Sequence, residues 1–430
     1  MNVCVVGLWH LGTVTAACLA GAGHRVTGLD EDPRVVEGLS AGRPPLLEPG
    51  LEELVRQGLG QGRLSFTTDA AAALRDAEVV WIAYDTPVDE EDRADVEGVV
   101  ARVTRLFPLL PPGALVLISS QLPVGTTRRL EEAHAAACPG RPASFACSPE
   151  NLRLGKAIRV FTNPDRVVVG TRRAEDRQRI AELLRPITDR IEWMTVESAE
   201  MVKHAINAFL ATSVAFINEI AGLCERTGAD AREVSRGLKT DARIGPGAYL
   251  GAGAAFAGGT LARDLGFLVD LAERERRSVH LLPAVRESNE EQKTWPCRRL
   301  VEVLGNLSGR RLAVLGLTYK PGTSTLRRSS AVEVCRWLDN LGARVAAYDP
   351  AVRELPPDLP ATIQLAGSPG EALAGADALL VLTEWPEFQG VSADEVCRSM
   401  RSPLVLDPGG FLEKQLGGDS RIRYWKVGKA

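Results

Sequence analysis

Residues 197–226 read ESAEMVKHAINAFLATSVAFINEIAGLCER, and nothing in this stretch breaks a helix. It holds no Pro, and its one Gly, Gly222, lies near its end. Apolar side chains recur at Met201, Val202, Ala205, Ile206, Phe209, Leu210, Val214, Phe216, Ile217 and Ile220. That spacing follows the helical period with a wide apolar face, which predicts a long, largely buried helix. About 30 residues at ~1.5 Å each span roughly 45 Å, enough to join two domains, build a subunit interface, or both. Lys203 and Asn207 stand at i and i+4 and share one face. An ammonium and a carboxamide on a buried face require partners or a ligand. A solvated strip along the helix edge is the plain alternative.

The rest of the chain is too long for one core: 430 residues imply two or three domains. Hydrophobic content of 45% and charged content of 25% are those of an ordinary soluble globular protein. A net charge of −4 with no basic block argues against a nucleic-acid partner. No uninterrupted apolar run reaches the roughly 18 residues that cross a bilayer, so no membrane partner is expected. The opening MNVCVVGLWHLG enters a strand directly, without the basic start of a signal peptide. Eight cysteines, Cys4, Cys18, Cys138, Cys147, Cys224, Cys297, Cys335 and Cys397, are scattered without a CxxC pair. They read as reduced thiols of a cytoplasmic protein, with no disulfide frame and no metal site.

At the N-terminus a strand over Asn2–Val6 runs into Gly7-Leu-Trp-His-Leu-Gly12, then a helix over about 12–22, then a strand ending at Asp30. Strand, glycine turn, helix, strand and terminal acid begin a dinucleotide-binding βαβ unit. Gly7, Leu11 and Gly12 belong to the turn that would face a pyrophosphate. Asp30 is placed to accept hydrogen bonds from a ribose, which favours NAD over NADP; Arg34 tempers that preference, because a guanidinium suits a 2′-phosphate. The fingerprint departs from G-x-G-x-x-G at Trp9, where the middle glycine normally lets the backbone approach the ligand. An indole there must point away or obstruct the site. Further on, EVVWIA (78–83) ends in Tyr84-Asp-Thr-Pro87, ALVLIS (114–119) ends in Ser120-Gln121, and the strand at 143–147 feeds Ser148-Pro-Glu150. Asp89 to Asp95 is an acidic, solvated loop.

These blocks resemble the UDP-glucose/GDP-mannose dehydrogenase family nearly end to end. The resemblance rests on LLEPGLEEL (46–54), Thr86-Pro87, LPVGTT (122–127), SPENLRLGKAI (148–158), NPDRVVVG (163–170) and the helix already quoted. It continues through DARIGPGAYLGAG (241–253), FAGGTLARD (256–264), LGLTYKPGTSTLRRS (315–329), YDP (348–350) and LTEWPEF (382–388). It implies an α/β chain of two Rossmann-like doubly wound domains joined by the long central helix. The implied parts are an NAD-binding domain over 1–196, a central helical dimerisation domain over 197–298 and a nucleotide-sugar-binding domain over 299–430. A homodimer is implied with it.

The resemblance also implies roles. Lys203, Asn207 and Asp264 hold the reacting oxygen and handle its proton, and Glu150 is the glutamate of the SPE motif. Gly7, Trp9, Leu11, Gly12, Asp30, Arg34, Thr86, Gln121 and Arg327 fall on cofactor positions. Glu150, Leu152, Arg153, Lys203, Asn207, Arg243, Tyr249, Gly253, Phe256, Gly258 and Lys320 fall on positions for a UDP- or GDP-linked sugar. In the family a cysteine captures an intermediate aldehyde as a thiohemiacetal, and two NAD molecules are reduced. Here Thr260 takes the cysteine's place and Arg263 the lysine's. A free thiol titrates near 8.5 and can be depressed further, whereas a threonine hydroxyl offers no comparable anion. Gln121 stands for a Thr, Leu154 for a Glu and Asp85 for a Gly; Asp85 adds negative charge close to a pyrophosphate.

The expected function is therefore a single two-electron oxidation of a nucleotide-sugar alcohol to a ketone or aldehyde, in a specialised antibiotic or glycan pathway. One alternative is a catalytically inactive binding module. The other is a four-electron UDP-sugar 6-dehydrogenase that gives a uronic acid.

Overall fold

The apolar run Val3-Cys-Val-Val6 is buried on both sides, as a central parallel strand requires. The computed structural model describes residues 1–87, 89, 94–257 and 259–429, and these divide into two units, Met1–Ile206 and Asn207–Ala430. Most of the acidic loop expected over 89–95 lies outside the described residues.

Among the described residues, the first unit carries eight strands: β1 Asn2–Val6, β2 Arg25–Leu29, β3 Leu64–Thr67, β4 Val79–Ile82, β5 Ala114–Ile118, β6 Ala143–Cys147, β7 Val167–Gly170 and β8 Ile191–Met194. Their order is β3-β2-β1-β4-β5-β6-β7-β8, so the direction of winding reverses between β1 and β4. Ligands of such sheets bind at that switch, beyond the carboxyl ends of the strands. Every pairing is parallel except β6 with β7, which meet antiparallel at Cys147 and Gly170. Val5, Leu19, Leu115 and Leu117 pack one face of the sheet, and Val6, Ile82, Phe107 and Phe145 pack the other.

The second unit repeats the plan with β9 Arg311–Leu315, β10 Arg344–Tyr348, β11 Ile363–Leu365, β12 Ala378–Val381, β13 Leu404–Leu406 and β14 Arg423–Trp425, in the order β11-β10-β9-β12-β13-β14, all parallel. The two halves share a latch. The Asp30 carboxylate after β2 accepts the Leu8 N–H at 2.7 Å and the Asp32 N–H at 2.9 Å. Asp349 after β10 accepts the Leu317 N–H at 2.8 Å and the Ala351 N–H at 2.9 Å. The second latch is filled further: Asp349 also takes the Thr318 N–H, the Thr318 hydroxyl and the Trp385 indole N–H, and is 2% exposed. In the first unit Asp30 stays half-buried and keeps acceptor capacity for a ribose.

The expected central helix spans Val196–Thr227, 32 residues. It is buried on one face only, which corrects the reading of a largely buried helix. Ala211, Ile217 and Ala221 are fully enclosed, whereas Phe209, Phe216 and Leu223 are 69%, 46% and 64% exposed. Those three are spaced by seven residues. The helix is long and apolar enough to cross a membrane, but half of its most apolar stretch is buried in the protein. Its Glu200, Lys203 and His204 are bound to strand-end loops of the first unit, the behaviour of a core helix.

Candidate functional site

At the cofactor end, geometry requires two of the three fingerprint residues to be glycine. Gly7 has φ +87°, and a Cβ there would lie 2.6 Å from the Tyr84 ring and 2.9 Å from its Cα. A Cβ on Gly12 would lie 1.7 Å from the Gly7 carbonyl oxygen. Trp9, in the middle, meets no such constraint: it is the N-cap of the helix His10–Gly21 and is 49% exposed. That helix has no side-chain cap and no acid in its first turn. Its first amides therefore have no partner within the helix, and with the helix dipole they form a cradle for a diphosphate. The residues present fit NAD. Arg34 is drawn into a bidentate pair with Asp32, at 3.2 and 3.1 Å, which leaves less of it for a 2′-phosphate. The Thr86 hydroxyl donates to the Gln121 carbonyl at 2.8 Å and ties the loops after β4 and β5 together. Asp85 lies exposed in the first of these. Burial, the largest influence, pushes the Tyr84 phenol up, and the Arg102 guanidinium sits 4.2 Å above its ring.

Next to this turn the first unit carries an open cleft of about 90 Å³. Leu11, Thr15, Trp81, Phe161 and Ile187 line it, together with the ion pair of Lys203 with Glu150, 3.3 Å apart. The two charged side chains are 11% and 19% exposed, so they meet with little water between them. Glu150 also accepts the Leu152 N–H at 2.7 Å, which curls the loop that follows, and Arg153 points outward. Two partly buried opposite charges beside an apolar wall suit the stabilisation of charge on a reacting oxygen.

The second unit brings together Asn207, Asp264 and Thr260. The Asn207 amide donates to Asp264, which is fully buried, and the Arg263 guanidinium lies 3.8 Å from the same carboxylate. Thr260 is the exposed first residue of the helix Thr260–Arg274. Its N-cap Gly259 has φ +98°, a left-handed value that excludes most other residues. Three amides that sequence reasoning missed hold the glycine-rich loop. Asn218 accepts the Gly253 N–H, Gln292 donates to the Gly253 carbonyl, and Asn289 pairs with both backbone groups of Phe256. Asn218 and Asn289 are 4% and 3% exposed, and buried amides on helices were the available signal.

Other expected residues are scattered. Arg243 is exposed and paired with Asp241 at 2.7 Å, and Tyr249 is 58% exposed. Lys320 and Arg327 lie in the long loop after β9, where Lys320 is half-buried and Arg327 is exposed. Gly258 lies outside the described residues. No group of side chains able to hold a metal ion occurs among the described residues. Nor do Cys4, Cys18, Cys147, Cys297 and Cys335 offer a ready thiolate. Burial pushes Cys4, Cys18, Cys297 and Cys335 up to about 12, and Cys147, just before the Glu150 loop, well above its usual range.

Comparison with known proteins bears on the family and the fold. Three profiles of the UDP-glucose/GDP-mannose dehydrogenase family match in order: the NAD binding domain over residues 1–188, the central domain over 197–291 and the UDP binding domain over 313–414. The chain is 35% identical to a UDP-glucose 6-dehydrogenase of Rhizobium meliloti, with all of both chains covered. It is 37% identical to one of Pseudomonas aeruginosa, over 95% of this chain and 93% of that one. A solved UDP-glucose dehydrogenase of Pyrobaculum islandicum superposes with a TM-score of 0.87 at 33% identity, covering 100% and 98% of the two chains.

Proposed function

Because the chain belongs to the UDP-glucose/GDP-mannose dehydrogenase family, we propose that it oxidises an alcohol of a UDP-linked sugar with NAD and releases the product at the carbonyl level. The match to a UDP binding domain supports UDP over GDP. Thr260, where family members would carry the capturing thiol, is the observation that supports release.

NAD, when bound, supplies the hydride acceptor. Lys203, paired with Glu150, presents an ammonium to the developing alkoxide. Asp264, held by Asn207, takes the proton. The alcohol loses one proton and one hydride and becomes a carbonyl. A thiolate would then add to that carbon; the Thr260 hydroxyl does not, so the carbonyl leaves without a bond to the protein. A free carbonyl suits a following aminotransferase-type step in a specialised sugar pathway.

The names of the relatives favour the four-electron alternative over a single oxidation. In that second reading the substrate is a primary alcohol, and the second step has to proceed without sulfur. Water adds to the aldehyde, and the resulting diol gives up a second hydride and proton, leaving the carboxylic acid. Both readings pass through a free carbonyl compound, and both set aside the inactive binding module. Counting NADH formed per UDP-glucose separates them, one against two, and no NADH with any UDP-sugar restores the binding module.

We further propose a homodimer, supported by Phe209, Phe216 and Leu223, whose seven-residue spacing is that of a helix-pairing seam. A cytoplasmic setting fits the free cysteines.

A further inference from the structure

Glu48 lies between the cofactor turn and the loop that carries Glu150, and its side chain is 1% exposed. One carboxylate oxygen accepts from His10 Nε2 at 3.0 Å and from the Gly155 N–H at 2.7 Å; the other accepts the Ala157 N–H at 2.8 Å. A carboxylate only accepts, so His10 carries its proton on Nε2. Burial alone would raise the Glu48 pKa, but the bonds from Gly155, His10 and Ala157 outweigh it and hold the carboxyl below its ordinary value. The three donors come from two segments, 38 and more than 100 residues away. His10 is the first residue of the helix whose amides form the diphosphate cradle. Gly155 and Ala157 end the loop that begins at Glu150 and contains Leu152 and Arg153. A buried charge holds its donors tightly, because losing one leaves it uncompensated. A shift at one segment is therefore felt at the other.

We propose that Glu48 is a positioning residue that makes cofactor and nucleotide-sugar binding interdependent, by linking His10 at the cradle to the Gly155–Ala157 end of the substrate loop. The proposal rests on the dehydrogenase reading above.

Titration of the protein with NADH, alone and with saturating UDP-glucose, tests it; NADH accepts no hydride, so the pair does not react. The wild type is expected to bind NADH about fivefold or more tightly when the sugar nucleotide is present, within the usual range of such couplings. Glu48→Gln turns an N–H toward a backbone N–H and brings the ratio to about one while both ligands still bind. His10→Phe does the same, and His10→Gln, which keeps a donor, restores the coupling. Should Glu48→Gln not fold, the two His10 variants carry the test. A wild-type ratio of one, or an unchanged ratio in His10→Phe, overturns the proposal. A wild type that binds neither ligand overturns the dehydrogenase reading itself, and this proposal with it.

Discussion

The side-chain amide of Asn207 donates to the carboxylate of Asp264, and the two are 6% and 0% exposed. A buried carboxylate that loses such a donor keeps its desolvation cost without compensation. Asn207→Leu is therefore expected to lower stability by about 1–3 kcal/mol, or somewhat more because the partner is charged, as read from urea unfolding. Asp264→Asn keeps the shape and removes the charge. It also leaves the nearby Arg263 guanidinium without that negative charge, so stability falls as well. Turnover, compared at a temperature where the variant is folded, is expected to fall by roughly 10²–10⁴, the usual span of a lost proton-transfer group.

Thr260→Cys places a thiol at a helix N-terminus that has no side-chain cap. Thiols in that position are acidified. The variant is expected to accumulate a sugar adduct, seen by intact-protein mass, and to form more acid than the wild type. An unchanged product ratio with no adduct would remove Thr260 as the reason for carbonyl release.

Phe216 and Leu223 expose apolar surface one heptad apart. Phe216→Glu, alone or with Leu223→Glu, is expected to shift the protein from dimer to monomer in sedimentation velocity, with its circular dichroism retained. Identical sedimentation of wild type and variant would argue against this helix as the dimer seam.

Glu197, in the first turn of the long helix, bonds to Arg172 at 2.8 Å and to Arg128 at 3.1 Å. The Arg172 bond, the largest influence, lowers its pKa from 4.5 to about 2. A carboxyl depressed in the folded state contributes fully above its unfolded pKa, and the contribution is lost as pH falls toward the folded one. Acid unfolding of the wild type should therefore include a loss on the order of 2 kcal/mol between about pH 4.5 and 2, after allowing for solvent screening. Glu197→Gln should flatten that part of the curve and match the protonated wild type at its acid end.

The first βαβ start was legible in the sequence because its signals are local: an apolar strand, glycines that a close approach enforces, and a terminal acid. The second domain was expected only through the family resemblance. Lys203 and Asn207 were legible as polar residues on an otherwise apolar helix. The short strands Ile363–Leu365, Leu404–Leu406 and Arg423–Trp425 were not, since three residues carry no period. The exposed seam at Phe209, Phe216 and Leu223 was hidden, because an apolar side chain reads alike whether it meets a core or solvent. Asn218, Asn289, Gln292 and Glu48 act on backbone groups 33 or more residues away in sequence, and spacing does not reveal such pairings.

The most direct measurement is turnover of UDP-glucose with excess NAD in the presence of a carbonyl trap such as hydroxylamine, counting NADH and identifying the sugar product. A carbonyl compound set free for want of sulfur at position 260 is intercepted, so one NADH should form per sugar and the trapped carbonyl adduct should accumulate. Two NADH per sugar and a uronic acid formed regardless of the trap would contradict the account.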